Sequence, residues 1–265
     1  MTEPPPGAAR LGRAEIVAAL RAAVEPLPGA RAMWEGGSAA FGRADAWSDL
    51  DLYILAEDDA VEDVMAAVDR ALGALSPIAA CRRLPEPTWH GHSQVFVRLA
   101  DAPEHLVVDL VVLHRSVPER FLERERHGVP VVYFDRFGEI APVPLDRAAF
   151  AAGAARRLEV LRREFALFQG FVRAEVARGD ALAALGAYRA YTLRPLLEVV
   201  RMRHCPERWD YGPKYSRSDL PPEVVARLEH LFFVPGIEGI ASRHLEAEAW
   251  FAEMVAALER DGIRL

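Results

Sequence analysis

Apolar residues fall at helical spacing over residues 14–25. They do so again over 59–75, where Val61, Val64, Met65, Val68 and Leu72 make one stripe. Between these lie a short apolar run, Ala30 to Trp34, and an alternating segment at 50–56 (LDLYILA), both read as strands. Further strands are predicted at 78–84, 93–99, 105–114 and from Val131 to Phe134. This half reads as a mixed sheet of about five strands with helices beside it. After Pro142-Val143-Pro144 the pattern changes. Leu158, Leu161, Phe165, Phe168, Val172 and Val176 follow the three-four spacing of a core-facing helix. A second helix is predicted from Ala181 to about Arg203, kinked at Pro195, and others at 222–233 and 240–260. The predicted class is α+β: a sheet domain over 13–145, a helical bundle over 146–265, and a disordered lead-in at 1–12.

One string carries chemistry: GGSAAFGRADAWSDLDL, residues 36–52. Gly36 and Gly37 free the backbone to turn at the end of a strand. Ser38 caps a short helix whose first N–H groups suit a phosphate. Asp49 and Asp51 are two apart on a predicted strand, so both face one way, with about 7 Å between Cα atoms. Paired carboxylates so placed want a cation, and hard oxygen donors suit Mg²⁺. Asp109 stands inside a third apolar run, Val107 to Val112, where an acid is costly unless it is paired or bound to metal. If the two strands are neighbours, three acids meet beside a phosphate cradle, the apparatus of two-metal phosphoryl or nucleotidyl transfer.

Gly37-Ser38, then Asp49-Leu50-Asp51, then the distal Asp109, resembles the signature of the DNA polymerase β–type nucleotidyltransferase superfamily, over roughly residues 30–115. The resemblance implies a triphosphate held by Gly37 and Ser38, and two Mg²⁺ ions held by Asp49, Asp51 and Asp109. It implies transfer of a nucleoside monophosphate, from ATP or another NTP, to a hydroxyl of a small acceptor, with release of pyrophosphate. Aminoglycoside-type antibiotics are among the acceptors of similar bacterial proteins. The helical-domain signature of the streptomycin-type members is missing here. The acceptor is expected in a cleft between the domains. The other reading in view is a nucleotidyltransferase-like antitoxin or protein-modifying regulatory partner. The length of the helical half speaks against it, since the antitoxin members are generally one small domain.

Charge narrows the partners. With 32 basic and 39 acidic residues the chain carries −7, a poor balance for gripping nucleic acid or an anionic membrane. Lys214 is the single lysine beside 31 arginines, an excess that reads as coding bias. No stretch approaches the ~20 apolar residues of a membrane span. Cys81 and Cys205 lack metal-ligand spacing and read as free, buried thiols. With no secretory leader in the pattern, a cytoplasmic location is expected. The stretch 203–225 is the other odd segment. Arg203, Arg208, Lys214 and Arg217 could meet a triphosphate, and Lys214 is the chosen phosphate contact. Trp209, Tyr211 and Tyr215 could stack on a ring. The plainer reading is a packing loop with its arginines paired to local acids. His90 and His92 read as surface or turn histidines, Tyr133 and Asp135 as structural. Arg156, Arg157, Arg162 and Arg163 read as the solvated face of a helix.

Overall fold

The computed structural model describes residues 11–263, so most of the expected lead-in at 1–12 lies outside the described residues. The chain divides into two compact units, Met1–Pro144 and Leu145–Leu265. The class is α+β, a mixed sheet with flanking helices followed by an all-helical region.

The first unit runs α1 (Arg13–Val24), β1 (Ala30–Glu35), short α2 (Gly37–Ala40), β2 (Leu50–Ala56), α3 (Val61–Leu75), β3 (Ile78–Arg83), β4 (Ser93–Leu99), β5 (Val107–His114), short α4 (Arg124–His127) and β6 (Val131–Asp135). The six strands lie in the order β3-β4-β5-β2-β1-β6. Only β2 and β5 pair in parallel; the other neighbours are antiparallel. Alternation then sorts the side chains. Leu50, Leu52, Ile54, Val108, Leu110 and Val112 face one way and pack with Ile16, Leu20, Val64 and Val68 of α1 and α3. Trp34, Leu55, Val111 and Leu113 face the other way, against Leu122 and the half-buried Tyr53 and Phe121. The strands that read as almost wholly apolar are therefore covered on both faces. β3 differs: all six of its residues are exposed, as suits an edge strand. Cys81 lies on it, so of the two expected buried thiols only Cys205 is buried; both are free.

The second unit contains α5 (Arg147–Arg178), α6 (Ala181–Ala187), α7 (Arg194–His204), short α8 (Ser216–Asp219), α9 (Pro222–Phe232) and α10 (Ile237–Asp261). Asp146 and Asp180 cap the starts of α5 and α6, accepting from the N–H groups of Ala149 and Ala183 at 3.0 Å. The expected kink at Pro195 takes a particular form. Between α6 and α7 the chain makes a wider π-helical turn, Tyr188–Leu193. Pro195 has no N–H to give the carbonyl of Tyr191, four residues back. That carbonyl receives the buried Gln169 side-chain amide at 2.9 Å. The Gln169 carbonyl in turn accepts from Thr192 Oγ1 at 2.7 Å and His244 Nε2 at 2.9 Å. Gln169→Leu strands these buried groups and is expected to cost about 2–4 kcal/mol. Chemical denaturation followed by circular dichroism checks this; an unchanged midpoint would show that the network adds nothing.

The segment after α7 is folded by charge. The Arg201 side chain is fully buried, as is that of Asp219. Arg201 donates from Nη2 to Asp219 Oδ2 at 2.8 Å and from Nε to the Arg208 carbonyl at 2.6 Å. Arg208 reaches the same carboxylate from Nη2 at 2.9 Å and from Nε at 3.1 Å. Arg203 pairs with Asp261 and Arg217 with Glu229. Arg203, Arg208 and Arg217, considered as phosphate contacts, thus have carboxylate partners. Arg157 is not a solvated arginine either. It makes a bidentate pair, 2.7 and 3.0 Å, with the buried Glu198 of α7. Among the described residues no helix is long and apolar enough to cross a membrane.

Candidate active site

Asp51 and Asp109 are register partners on the parallel strands β2 and β5. Both side chains point away from the α1–α3 layer, since Leu50, Leu52, Val108 and Leu110 face it. Both line a hollow of about 100 Å³, with Tyr53, Trp89, His90, Gln94, Val111 and Phe121 around it. An acid in the middle of β5 is tolerated because it opens into this hollow and accepts a hydrogen bond. Gln94 Nε2 donates to Asp109 Oδ1 at 2.6 Å.

β1 delivers the glycines to the same place. Gly36 N–H donates to the Asp51 carbonyl at 2.9 Å. Gly37, at φ +52°, lies so close to Asp51 that a Cβ there would stand 1.6 Å from Oδ2. No side chain fits, and the φ suits glycine. Ser38 follows on α2; its Oγ is buried and has no hydrogen-bond partner among the described residues. A buried polar atom without a partner points to a ligand or water that would satisfy it.

β2 begins at Leu50, so Asp49 belongs to the loop before the strand. Arg13 of α1 ties that loop down, donating to the carbonyls of Ser48 and Asp49 and to Glu35. Glu35, buried at the end of β1, also accepts from Tyr133 Oη. Burial, then this bond, raises the Tyr133 hydroxyl pKa. Among the described residues no group of three or more His, Cys, Asp or Glu is gathered to hold a metal. The structure brings Asp51 and Asp109 together beside Gly37 and Ser38, while Asp49 does not line their hollow. The donor set of the pair, hard carboxylate oxygens beside a close glycine turn, suits a divalent cation carrying phosphate oxygens.

The histidines of the 84–92 loop are not surface groups. His90 and His92 are both buried. His92 accepts the His114 backbone N–H at Nδ1, 3.1 Å, and meets the Glu119 carbonyl through Nε2 at 3.0 Å. Burial pushes its pKa down to about 4 from the ordinary 6.5, so the ring is neutral when folded. The unfolded chain takes that proton first. The stability that neutral His92 contributes is therefore full above pH ~6.5 and lost as pH falls from there toward 4, on the order of 3 kcal/mol. His92→Gln should flatten that part of the stability–pH curve in denaturant titrations; a variant curve parallel to the original would refute the assignment. The spacing His90-Gly91-His92 signals a pair, but nothing in the local pattern shows its burial.

Phe121 completes the wall. Its backbone is left-handed, φ +54°, unusual for a bulky residue. Its N–H donates to Glu119 Oε1 at 2.7 Å, and its ring stands 5.6 Å from Tyr53 and 6.0 Å from both His90 and His92. Trp89, 85% exposed, lines the outer rim. In the α2–β2 loop, Trp47 packs on His105 at 4.8 Å.

Lys214 lies in the second unit, exposed, with Nζ 5.1 Å from the centre of the Tyr215 ring. Trp209 and Tyr211 line a cavity of about 630 Å³ in that unit, together with Arg157, Arg189 and Arg194. Tyr215 lines another, about 420 Å³, with Val225, Leu228 and Phe232.

No protein-family model matches the chain, and no curated protein matches it. Among solved structures it is similar to the crystal structure of an aminoglycoside 6-adenyltransferase from Bacillus subtilis, 13% identical over 93% of this chain and 89% of that one. The TM-score is 0.36, a distance at which the likeness carries no argument about activity.

Proposed function

We propose that the chain is a metal-dependent nucleotidyltransferase of the DNA polymerase β type, with residues 13–145 as the catalytic domain and 146–265 as a helical one. The observation that carries this reading is the register pair Asp51–Asp109, with Asp51 pressed against Gly37 and, next to that glycine, a buried Ser38 hydroxyl that has no hydrogen-bond partner among the described residues. In the reaction a hydroxyl oxygen of a small acceptor attacks the α-phosphorus of an NTP, with ATP the preferred donor. A new P–O bond forms, the bond to the β-phosphate oxygen breaks, pyrophosphate leaves and the hydroxyl proton passes to a base. Gly37 and Ser38 supply the N–H groups and hydroxyl that position the phosphates. Asp51 and Asp109, with Asp49 from the loop before β2, would hold Mg²⁺. When bound, the ion supplies charge neutralisation for the phosphates. The protein's share is positioning and fixed charge.

A pyrophosphate-release screen tests this, with ATP and GTP offered against a panel of hydroxylated amines, aminoglycosides included. The Asp51→Asn/Asp109→Asn double variant is expected to lose at least about 10³-fold in rate. Equal signal from that variant would sink the reading.

A further inference from the structure

We infer that His90 and Gln94 form a positioning pair that fixes the Asp109 carboxylate, a role resting on the function proposed above. The backbone N–H of His92 donates to His90 Nδ1 at 3.1 Å. An N–H can only donate, so this contact calls for a lone pair on Nδ1 and a proton on Nε2. Thr88 Oγ1 also lies 3.2 Å from His90 Nδ1. Its hydroxyl proton goes to the His92 carbonyl at 2.5 Å, leaving its oxygen to accept from His92 N–H at 3.1 Å.

His90 Nε2–H then faces Gln94 Oε1 at 3.1 Å. The Asp109 carboxylate, which can only accept, decides which way round the Gln94 amide sits. Its NH₂ end donates to Asp109 Oδ1 at 2.6 Å, which leaves Oε1 to accept from His90 Nε2–H. The chain of bonds therefore has one direction, from the His92 backbone through His90 and Gln94 to Asp109. Gln94 stands opposite Val111 and Phe96 stands opposite Asp109, so Gln94 meets the acid on the diagonal of the β4–β5 ladder. A long, neutral side chain with both a donor and an acceptor is needed to span it. Glutamate at 94 would put a carboxylate, not a donor, against Asp109. Leucine would remove the donor to Oδ1. Groups of this kind, one bond behind a metal-binding carboxylate, orient it for its ion.

Two readouts test the pair on the full chain. The first needs no activity: long-range ¹H–¹⁵N imidazole spectra at neutral pH should show His90 as the pure Nε2–H tautomer. An Nδ1–H tautomer overturns the proposal. The second is Mn²⁺ affinity, read as free Mn²⁺ by electron paramagnetic resonance. Gln94→Leu and Gln94→Glu should weaken binding about 10- to 100-fold, the usual size of such effects. His90→Leu should weaken it too, and His90→Gln, which keeps a donor near Nε2, should restore most of it. A merely structural role would not distinguish those last two. If the unaltered chain binds Mn²⁺, Asp51→Asn abolishes binding and Gln94→Leu leaves it intact, the pair has no positioning role and the proposal fails alone. If the unaltered chain binds no Mn²⁺, the metal reading fails and the positioning role falls with it, whichever tautomer is seen.

Discussion

Gly37→Ala is expected to reduce nucleotidyl transfer at least about 100-fold while the sheet still forms. The added Cβ would stand 1.6 Å from Asp51 Oδ2 and 2.5 Å from its Cγ, so the carboxylate must leave its place. A displacement of about 1 Å at a reacting centre is enough to cost about 100-fold. The left-handed φ adds roughly 1–2 kcal/mol of backbone cost. That part can be measured separately at Gly42, which has φ +65° and where an added Cβ would meet nothing within 4 Å. Gly42→Ala should therefore show the backbone cost in its denaturation midpoint and keep its rate. Equal rates for the two variants would remove the glycine–carboxylate contact from the site.

Asp219→Ala should be the most damaging single change in the helical unit, by about 3–5 kcal/mol. It removes the one carboxylate shared by Arg201 and Arg208, whose side chains are 0% and 11% exposed. Two guanidinium groups would lose the carboxylate they share in a largely buried setting. The cost is mostly that of stranded charge and not the net worth of the pair. Asp219→Leu combined with Arg201→Met and Arg208→Met should recover much of the loss, since apolar replacement of a whole buried ion cluster is often tolerated. Urea denaturation of the three proteins measures this. A triple variant no better than Asp219→Ala would mean that the cluster holds the 205–222 segment by geometry that apolar groups cannot copy.

Much of this molecule is legible from local pattern. The stripe Val61–Leu72 is α3, and the alternating 50–56 segment is β2 over the expected residues. Asp109 stands out because an acid in an apolar strand needs a reason; it opens into the hollow and accepts from Gln94. Contacts between distant residues are not legible. Nothing near His92 in sequence announces the carbonyl of Glu119 or the N–H of His114. Arg157 has the helical surroundings of a solvated residue, yet its partner Glu198 lies on another helix. Asp49 falls just outside β2, where Arg13, far upstream, takes its carbonyl. For the 203–225 segment, composition shows arginines and aromatics but not which acid is buried between them.

The parallel pairing of β2 with β5 has a consequence for assembly. Every other strand pair in the sheet is antiparallel, but this one joins strands separated in the chain by α3, β3 and β4. Contacts of such long sequence separation carry a high closure entropy and tend to form late in folding. Asp51 meets Asp109 only across that seam. A nascent chain from which β5 has not yet emerged has no acid pair at all; the pair exists only once β5 has docked on β2.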